Sequence, residues 1–177
     1  MLPLEERHRD LLGSERTLFE ANGRYVPEVL ALKRQVRMRS AELGFYNLFG
    51  AEKLGGAAQG AQVMAHVQET LNHRLGPAHP LVQTVVLPSP FTNGLSPVLR
   101  HLQPEIFEPY RAGITSGEKT LCFGLSEPDA GSDAFGMKTR AVRDGDEWVL
   151  TGTKQWITNS PYADYAMVFA LTDPEAA

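Results

Sequence analysis

The chain has 177 residues, of which 42% are apolar and 21% charged, a balance typical of a folded protein with one domain or two small ones. Its formal net charge of −4 argues against the strongly basic surface of a nucleic-acid-binding protein. The single cysteine, Cys122, excludes an internal disulfide and a zinc cluster built on cysteines.

No apolar run approaches the roughly 20 residues that span a bilayer, so we expect no membrane span. The first ten residues lack the apolar core of a secretory signal, and we expect a cytoplasmic protein. The five histidines lack the i, i+4 spacing of a helical metal site, so we expect no metal.

The first two thirds of the chain predict helices. Apolar residues recur at three- and four-residue steps over 26–43, which indicates one buried stripe. Pro27 suits the first turn of this helix and Gly44 its C-terminal stop. Gly13 interrupts the first predicted helix, 4–21, only weakly. The predicted helices are 4–21, 26–43, 61–75, 98–102 and 106–112.

Strand signals, rich in alternating β-branched and aromatic residues, begin near residue 119. Asp144-Gly145 separates two of these strands and predicts a hairpin, because a tight turn needs a residue that tolerates positive φ. The predicted strands are 120–125, 137–143, 147–151, 154–158 and 165–171.

The chain is therefore predicted to be an α+β protein of two domains. An N-terminal all-α helical bundle, 1–118, precedes the start of an antiparallel β-barrel-like middle domain, 119–177. Five short strands leave an open sheet edge, and such edges are normally covered. We expect the native polypeptide to continue beyond Ala177.

A polar loop, residues 126–133, follows the first predicted strand. Gly131 allows a ligand to approach the backbone closely, and the hydroxyls of Ser126 and Ser132 can donate hydrogen bonds. The loop lacks the Gly-Lys-Ser/Thr of a P-loop and the G-x-G-x-x-G of a dinucleotide site. On composition alone, an ordinary polar turn is the simpler interpretation.

A second segment, residues 151–159, carries Trp156 and Thr158. If this segment is a strand, the two side chains point to the same side. An aromatic plane beside a hydroxyl suits a flat heteroaromatic ligand. The alternative is a core tryptophan whose indole N–H is satisfied within the protein.

Taken together, Ser126–Asp133 and Gly145–Asn159 resemble two motifs of the acyl-CoA dehydrogenase family. The middle domain of that family carries Thr/Ser-Glu-Pro-x-Ala-Gly-Ser-Asp and then Gly-x-Lys-x-Trp-Ile-Thr-Asn, in this order. Residues 43–49, with the following Gly55-Gly56, are similar to the helical domain of the family. The resemblance spans residues 26–172.

The resemblance implies FAD-dependent α,β-dehydrogenation of an acyl-CoA thioester. In the family a carboxylate removes the α-proton, and the β-hydrogen leaves as hydride to flavin N5. That base is a glutamate of a C-terminal helical domain, so we expect it outside these residues and expect the 177 residues alone to be inactive. Glu127 does not match its context, and we interpret it as a turn or cap residue.

The resemblance also implies individual binding roles. Ser126 and the backbone beside it would contact the flavin ring edge, Trp156 would pack on the ring, and Thr158 would hydrogen-bond near N5 and O4. Ser132 would in addition bind substrate. Asp129 stands where many relatives have Gly, and a carboxylate there is unfavourable beside a phosphate unless it points away. The implied cofactor-binding residues are Phe123, Leu125, Ser126, Gly131, Ser132, Trp156, Ile157 and Thr158.

The same resemblance implies a homodimer or homotetramer that passes electrons to electron-transferring flavoprotein. Two alternatives stay open. One is a flavin oxidase of the same superfamily, such as an acyl-CoA oxidase or nitroalkane oxidase. The other is a non-catalytic module that keeps the fold. Cys122 lacks a sequence-local His or Cys partner, and we expect a packed thiol.

Overall fold

The computed structural model describes residues 2–76, 79–82 and 94–173. The chain divides into two compact units, Met1–Thr120 and Leu121–Ala177. The assignment of 1–118 and 119–177 as domains stays a proposal. The helices of the first unit are α1 (Leu2–Arg7), α2 (Arg9–Leu12), α3 (Glu15–Leu18), α4 (Pro27–Glu42), α5 (Ala61–Leu75) and α6 (Pro104–Thr115). The strands of the second unit are β1 (Leu121–Gly124), β2 (Arg140–Asp144), β3 (Glu147–Thr151) and β4 (Tyr165–Val168).

The two long helices, α4 and α5, lie where the sequence predicts them. Helix α4 begins at Pro27, whose missing N–H needs no partner in the first turn. Gly44 follows its C-terminus at φ +83°, a conformation that glycine adopts without steric cost. The two shorter predicted helices, 98–102 and 106–112, correspond to a 3₁₀ turn, Pro97–His101, and to α6.

The predicted helix over residues 4–21 is wrong as a single element. The chain forms three short helices instead and is extended by Phe19, which bridges antiparallel to Tyr25. Helix α2 ends before Gly13, where a Cβ would lie 2.7 Å from the carbonyl oxygen of Arg9. Ser14 then takes an extended conformation. Gly13 itself keeps right-handed helical angles, so the chain leaves the helix at Ser14, a residue type that favours caps and turns over helix interiors.

One face of α4 builds the core of the first unit. Val29, Leu32 and Val36 are buried and form a cluster with Leu12 and Leu81. Burial of each such side chain contributes about 1.5–3 kcal/mol. Leu43, at the end of the predicted stripe, is exposed.

The described residues of the second unit, 121–173, form two separate two-stranded sheets. Strands β2 and β3 form the predicted hairpin, with Asp144 opposite Glu147 and Gly145 at φ +60° in the turn. Strands β1 and β4 pair in parallel, with Leu121 opposite Tyr165. A parallel pair needs a long crossover, and the segment between the two strands supplies it. The antiparallel prediction is therefore wrong for β1 and β4, and the described strands form no closed barrel.

The predicted strand over residues 154–158 is also wrong. Trp156 has φ +60° and Asn159 has φ +71°, and an extended strand does not contain such left-handed residues. The alternation that would place Trp156 and Thr158 on one side of a strand therefore does not apply. Their positions follow from the hydrogen bonds described below.

Gly152, directly after β3, offers a test of the packing in the second unit. A Cβ added here would lie 2.6 Å from the Cα of Thr139. We expect Gly152→Ala to lower the free energy of unfolding by about 1–3 kcal/mol, because the methyl group overlaps backbone atoms.

Gly131→Ala is the matched control, since a Cβ at Gly131 meets nothing within 4 Å. Its effect on stability should stay within about 0.5 kcal/mol. Denaturant unfolding measures both variants, and equal losses would contradict the close approach of Gly152 to Thr139.

Candidate functional site

The two motif segments lie side by side in the second unit. The backbone N–H of Gln155 donates to the carbonyl of Ser126 at 2.9 Å. The ammonium of Lys154 donates to the carbonyl of Leu125 at 3.0 Å. Lys154 and Gln155, two consecutive residues of the second segment, thus bind two consecutive carbonyls at the start of the loop after β1.

Glu127 makes the strongest connection between these segments. Its side chain is 4% exposed, and its Oε1 accepts hydrogen bonds from Lys154 Nζ at 2.7 Å and from the N–H of Thr139 at 3.0 Å. Its Oε2 accepts from the N–H of Lys138 at 2.6 Å. The backbone of Glu127 also closes a turn with Ala130. The turn prediction is confirmed, but sequence reasoning missed the buried pair, because no local pattern connects Glu127 to Lys154.

The surroundings of Glu127 stabilise its ionised form. The hydrogen bond from Lys154, followed by those from Thr139 and Lys138, lowers the pKa of Glu127 to about 2. The carboxylate is therefore ionised at neutral pH and a weak proton acceptor. Its chemistry suits a fixed structural anchor rather than a catalytic base.

Trp156 lies on the surface of its unit, with 83% of the residue exposed. Within the residues that the structure describes, Trp156 is therefore not part of an apolar core. Thr158 is exposed and Ile157 half-buried. The neighbouring Asn159 is tied to β1, because its Nδ2 donates to the carbonyl of Leu121 at 2.9 Å.

The remaining predicted site residues flank the same loop. Leu125 and Ser126 are half-buried, whereas Gly131 and Ser132 are exposed. The ring of Phe123 is half-buried and lies 4.8 Å from that of Phe169, measured between centroids. Within the described part of the chain, the hydroxyls of Ser126, Ser132 and Thr158 form no hydrogen bond. The binding roles of all eight predicted residues stay proposals.

The side chain of Asp129 points toward Lys138. Its carboxylate pairs with Lys138 Nζ at 2.8 Å, and both side chains are exposed. The ammonium of Lys138 thus compensates the negative charge of Asp129. Such compensation reduces the repulsion between Asp129 and any anion bound nearby. Asp129 in turn raises the pKa of Lys138.

Cys122, one residue into β1, is buried, and burial raises the pKa of its thiol. The prediction of a packed thiol is confirmed. Over residues 2–76, 79–82 and 94–173, no cluster of three or more His, Cys, Asp or Glu side chains could hold a metal ion. In the same residues, no helix is long and apolar enough to cross a membrane.

Comparison with known proteins agrees with these motifs. A sequence profile of the acyl-CoA dehydrogenase middle domain matches residues 122–177. The human mitochondrial short-chain specific acyl-CoA dehydrogenase is 37% identical over 175 residues, covering 96% of this chain and 41% of the relative. Cyclohex-1-ene-1-carbonyl-CoA dehydrogenase of Geobacter metallireducens is 39% identical over 137 residues, covering 76% of this chain and 34% of the relative.

The fold is similar as well. The crystal structure of a glutaryl-CoA dehydrogenase from Mycobacterium smegmatis in complex with FADH2 matches with a TM-score of 0.61 and 29% identity, covering 95% of this chain and 43% of that one. The chain belongs to the acyl-CoA dehydrogenase family. It spans 34% to 41% of the length of the two curated relatives described above.

The low pKa of Glu127 predicts a specific acid response. A carboxyl group whose pKa falls from 4.5 unfolded to about 2 folded stabilises the protein above pH 4.5, and this contribution is lost as the pH falls through 2. We expect Glu127→Gln to be less stable than the unmodified protein at pH 7. The difference in the free energy of unfolding should shrink between pH 5 and pH 2.

Glu147→Gln, on exposed β3, controls for loss of a carboxylate in the same unit. It should be nearly neutral across this range. Unfolding in urea at a series of pH values measures the differences. A Glu127→Gln deficit independent of pH would show that the carboxylate charge is not what stabilises the site.

Proposed function

We propose that this chain forms part of an FAD-dependent acyl-CoA dehydrogenase, and that the loop after β1 and the segment 154–159 bind the flavin. The observation that supports this most is their adjacency, in which Lys154 and Gln155 hold the carbonyls of Leu125 and Ser126. Membership of the family supports the reaction class, and the similar glutaryl-CoA dehydrogenase with FADH2 supports the cofactor.

The groups present at this place fit a flavin. Trp156 offers an exposed aromatic plane, and Ser126 and Thr158 offer hydroxyls without partners among the described residues. A flavin ring is flat and carries hydrogen-bond acceptors along its edge, which matches this combination. When bound, FAD supplies the acceptor for the hydride that leaves the β-carbon of the acyl chain.

The residues of this chain would then act by position and polarity. Ser126 and Thr158 donate hydrogen bonds to the ring edge, where added negative charge needs stabilisation. Trp156 packs on the ring and excludes water. Gly131 and Ser132 lie in the loop that approaches the pyrophosphate or the substrate, and Lys138 holds the Asp129 carboxylate.

Abstraction of the α-proton needs a different carboxylate. Glu127 is a poor base, because its oxygens already accept three hydrogen bonds and its pKa is lowered to about 2. We propose that the base lies outside these 177 residues and that the chain alone is inactive. A homodimer or homotetramer, electron transfer to electron-transferring flavoprotein and a cytoplasmic location remain predictions.

The proposed reaction is tested on the full-length protein. It should be purified with bound FAD and show the visible absorption of oxidised flavin, and an acyl-CoA substrate should bleach this absorption under anaerobic conditions. A protein that neither binds FAD nor reduces it with any acyl-CoA would contradict the proposal and favour a non-catalytic module. Rapid oxygen consumption without an electron-transfer partner would instead indicate an oxidase.

The proposed flavin contacts are tested by removing one hydroxyl at a time. Ser126→Ala and Thr158→Val should each weaken FAD binding roughly two- to tenfold, the effect of one hydrogen bond of about 0.5–1.5 kcal/mol. Ser160→Ala, on a nearby exposed serine without a proposed role, should leave FAD affinity unchanged. Titration of the apoprotein with FAD measures the three affinities. Equal affinities in all three variants would remove Ser126 and Thr158 from the site.

A further inference from the structure

The ammonium of Lys154 binds the backbone immediately before Ser126. Its Nζ donates to the carbonyl oxygen of Leu125 at 3.0 Å and to Oε1 of Glu127 at 2.7 Å. The aliphatic part of the side chain runs along the end of β1, where a Cβ added at Gly124 would lie 3.7 Å from the Cγ of Lys154. Because only 12% of its side chain is exposed, Lys154 is fixed in place and is not a free surface cation.

The ion pair presents its positive end to the Leu125 carbonyl. The carboxylate of Glu127 accepts its other hydrogen bonds from the backbone N–H groups of Lys138 and Thr139. Its negative charge is therefore stabilised on the side of residues 138–139, whereas the Lys154 ammonium contacts the Leu125 carbonyl directly. The charges of the pair cancel at long range, but the group bonded to this carbonyl is the cation.

Leu125 and Ser126 share one peptide unit, with the Leu125 carbonyl on one side and the Ser126 N–H on the other. A charge-assisted hydrogen bond is roughly twice as strong as a neutral one, and hydrogen bonds in a chain polarise one another. The cation at the carbonyl therefore makes the Ser126 N–H a stronger donor. Within the described residues this N–H has no acceptor, and Ser126 is half-buried, so the donor is available to a ligand.

We propose that Lys154 is a positioning residue that fixes the Ser126 N–H, strengthens it as a hydrogen-bond donor to the flavin ring edge, and thereby favours the reduced cofactor. Reduction adds negative charge to the ring, so a stronger donor stabilises the reduced form more than the oxidised form. Lys154 acts through Ser126 and raises the reduction potential of the bound flavin. The inference rests on the proposed function, because it takes Ser126 as a flavin contact.

A purely structural anchor predicts a different result. If Lys154 only held the two segments together, its removal would weaken the binding of oxidised and reduced FAD by the same factor, and the reduction potential would not change. The proposed role changes the ratio of the two affinities. For a two-electron couple, a tenfold change in this ratio corresponds to about 30 mV.

The test measures the midpoint potential of the flavin in the full-length protein at pH 7, by reduction in equilibrium with a dye of known potential. The double variant Glu127→Gln/Lys154→Met removes both charges and leaves neither of them buried without a partner. It should lower the ratio of reduced to oxidised affinity about three- to tenfold, which corresponds to a potential about 15–30 mV more negative. Glu127→Gln alone leaves the ammonium on the Leu125 carbonyl without its counter-charge, and it should make the potential more positive.

Two further variants serve as controls. Lys154→Arg keeps a cationic donor at this position and should keep the affinity ratio within about twofold of that of the unmodified protein. Arg143→Met removes a different cation of the same unit, since exposed Arg143 donates to the carbonyl of Gly145 at 3.0 Å. It should leave the potential unchanged.

Bound FAD with an unchanged potential in the double variant would overturn the proposal and leave the proposed function standing. Shifts of the same sign in Glu127→Gln and in the double variant would also overturn it, because the two changes alter the charge beside the Leu125 carbonyl in opposite directions. An unmodified protein that binds no FAD would instead contradict the proposed function and, with it, this inference.

Discussion

The buried ion pair between Glu127 and Lys154 organises the candidate site. A carboxylate that is 4% exposed and an ammonium that is 12% exposed meet at 2.7 Å, 27 residues apart in the chain. A buried charge is costly unless it is paired and its remaining lone pairs are satisfied. Here the backbone N–H groups of Lys138 and Thr139 donate the further hydrogen bonds that the carboxylate of Glu127 accepts. Removing either partner would leave an uncompensated buried charge, so the pair keeps three separate stretches of chain together.

This polar anchor matters because the second unit buries little apolar surface in its described part. Its buried apolar residues are Leu121, Cys122, Ala130 and Ala141, of which only leucine is large. By contrast, α4 alone contributes Val29, Leu32 and Val36 to the core of the first unit. A small apolar core cannot by itself hold irregular loops in place. Satisfied buried hydrogen bonds specify the loop geometry instead.

The same arrangement separates structural groups from groups available to a ligand. Glu127, Lys154 and Asn159 are engaged in holding backbone, whereas Trp156 and Thr158 face outward from the segment that the first group fixes. The left-handed backbone of Trp156 and Asn159 turns the chain between these two sets of contacts. Backbone strain of this kind persists only where surrounding interactions determine it, and it is common at binding sites. This separation supports the proposal that the outward-facing residues bind a cofactor.

Local sequence patterns predicted the elements whose stability is local. The apolar period of 3.6 residues, together with Pro27 and Gly44, predicted α4 to within one residue at each end. Asp144-Gly145 predicted the β2–β3 hairpin. Both predictions succeeded because these signals act over a few neighbouring residues. The two motif segments and the family were also predicted from the sequence, because motif residues occur at recognisable spacings.

Tertiary structure alone decided the parallel pairing of β1 with β4, the loss of the strand predicted over 154–158, and the role of Glu127. Each depends on partners tens of residues apart, and local β-propensity carries no information about which distant donor a carbonyl or carboxylate will meet. Lys154 and Gln155 bond to the loop after β1 rather than to a neighbouring strand, and those long-range hydrogen bonds override the extended preference of their own segment.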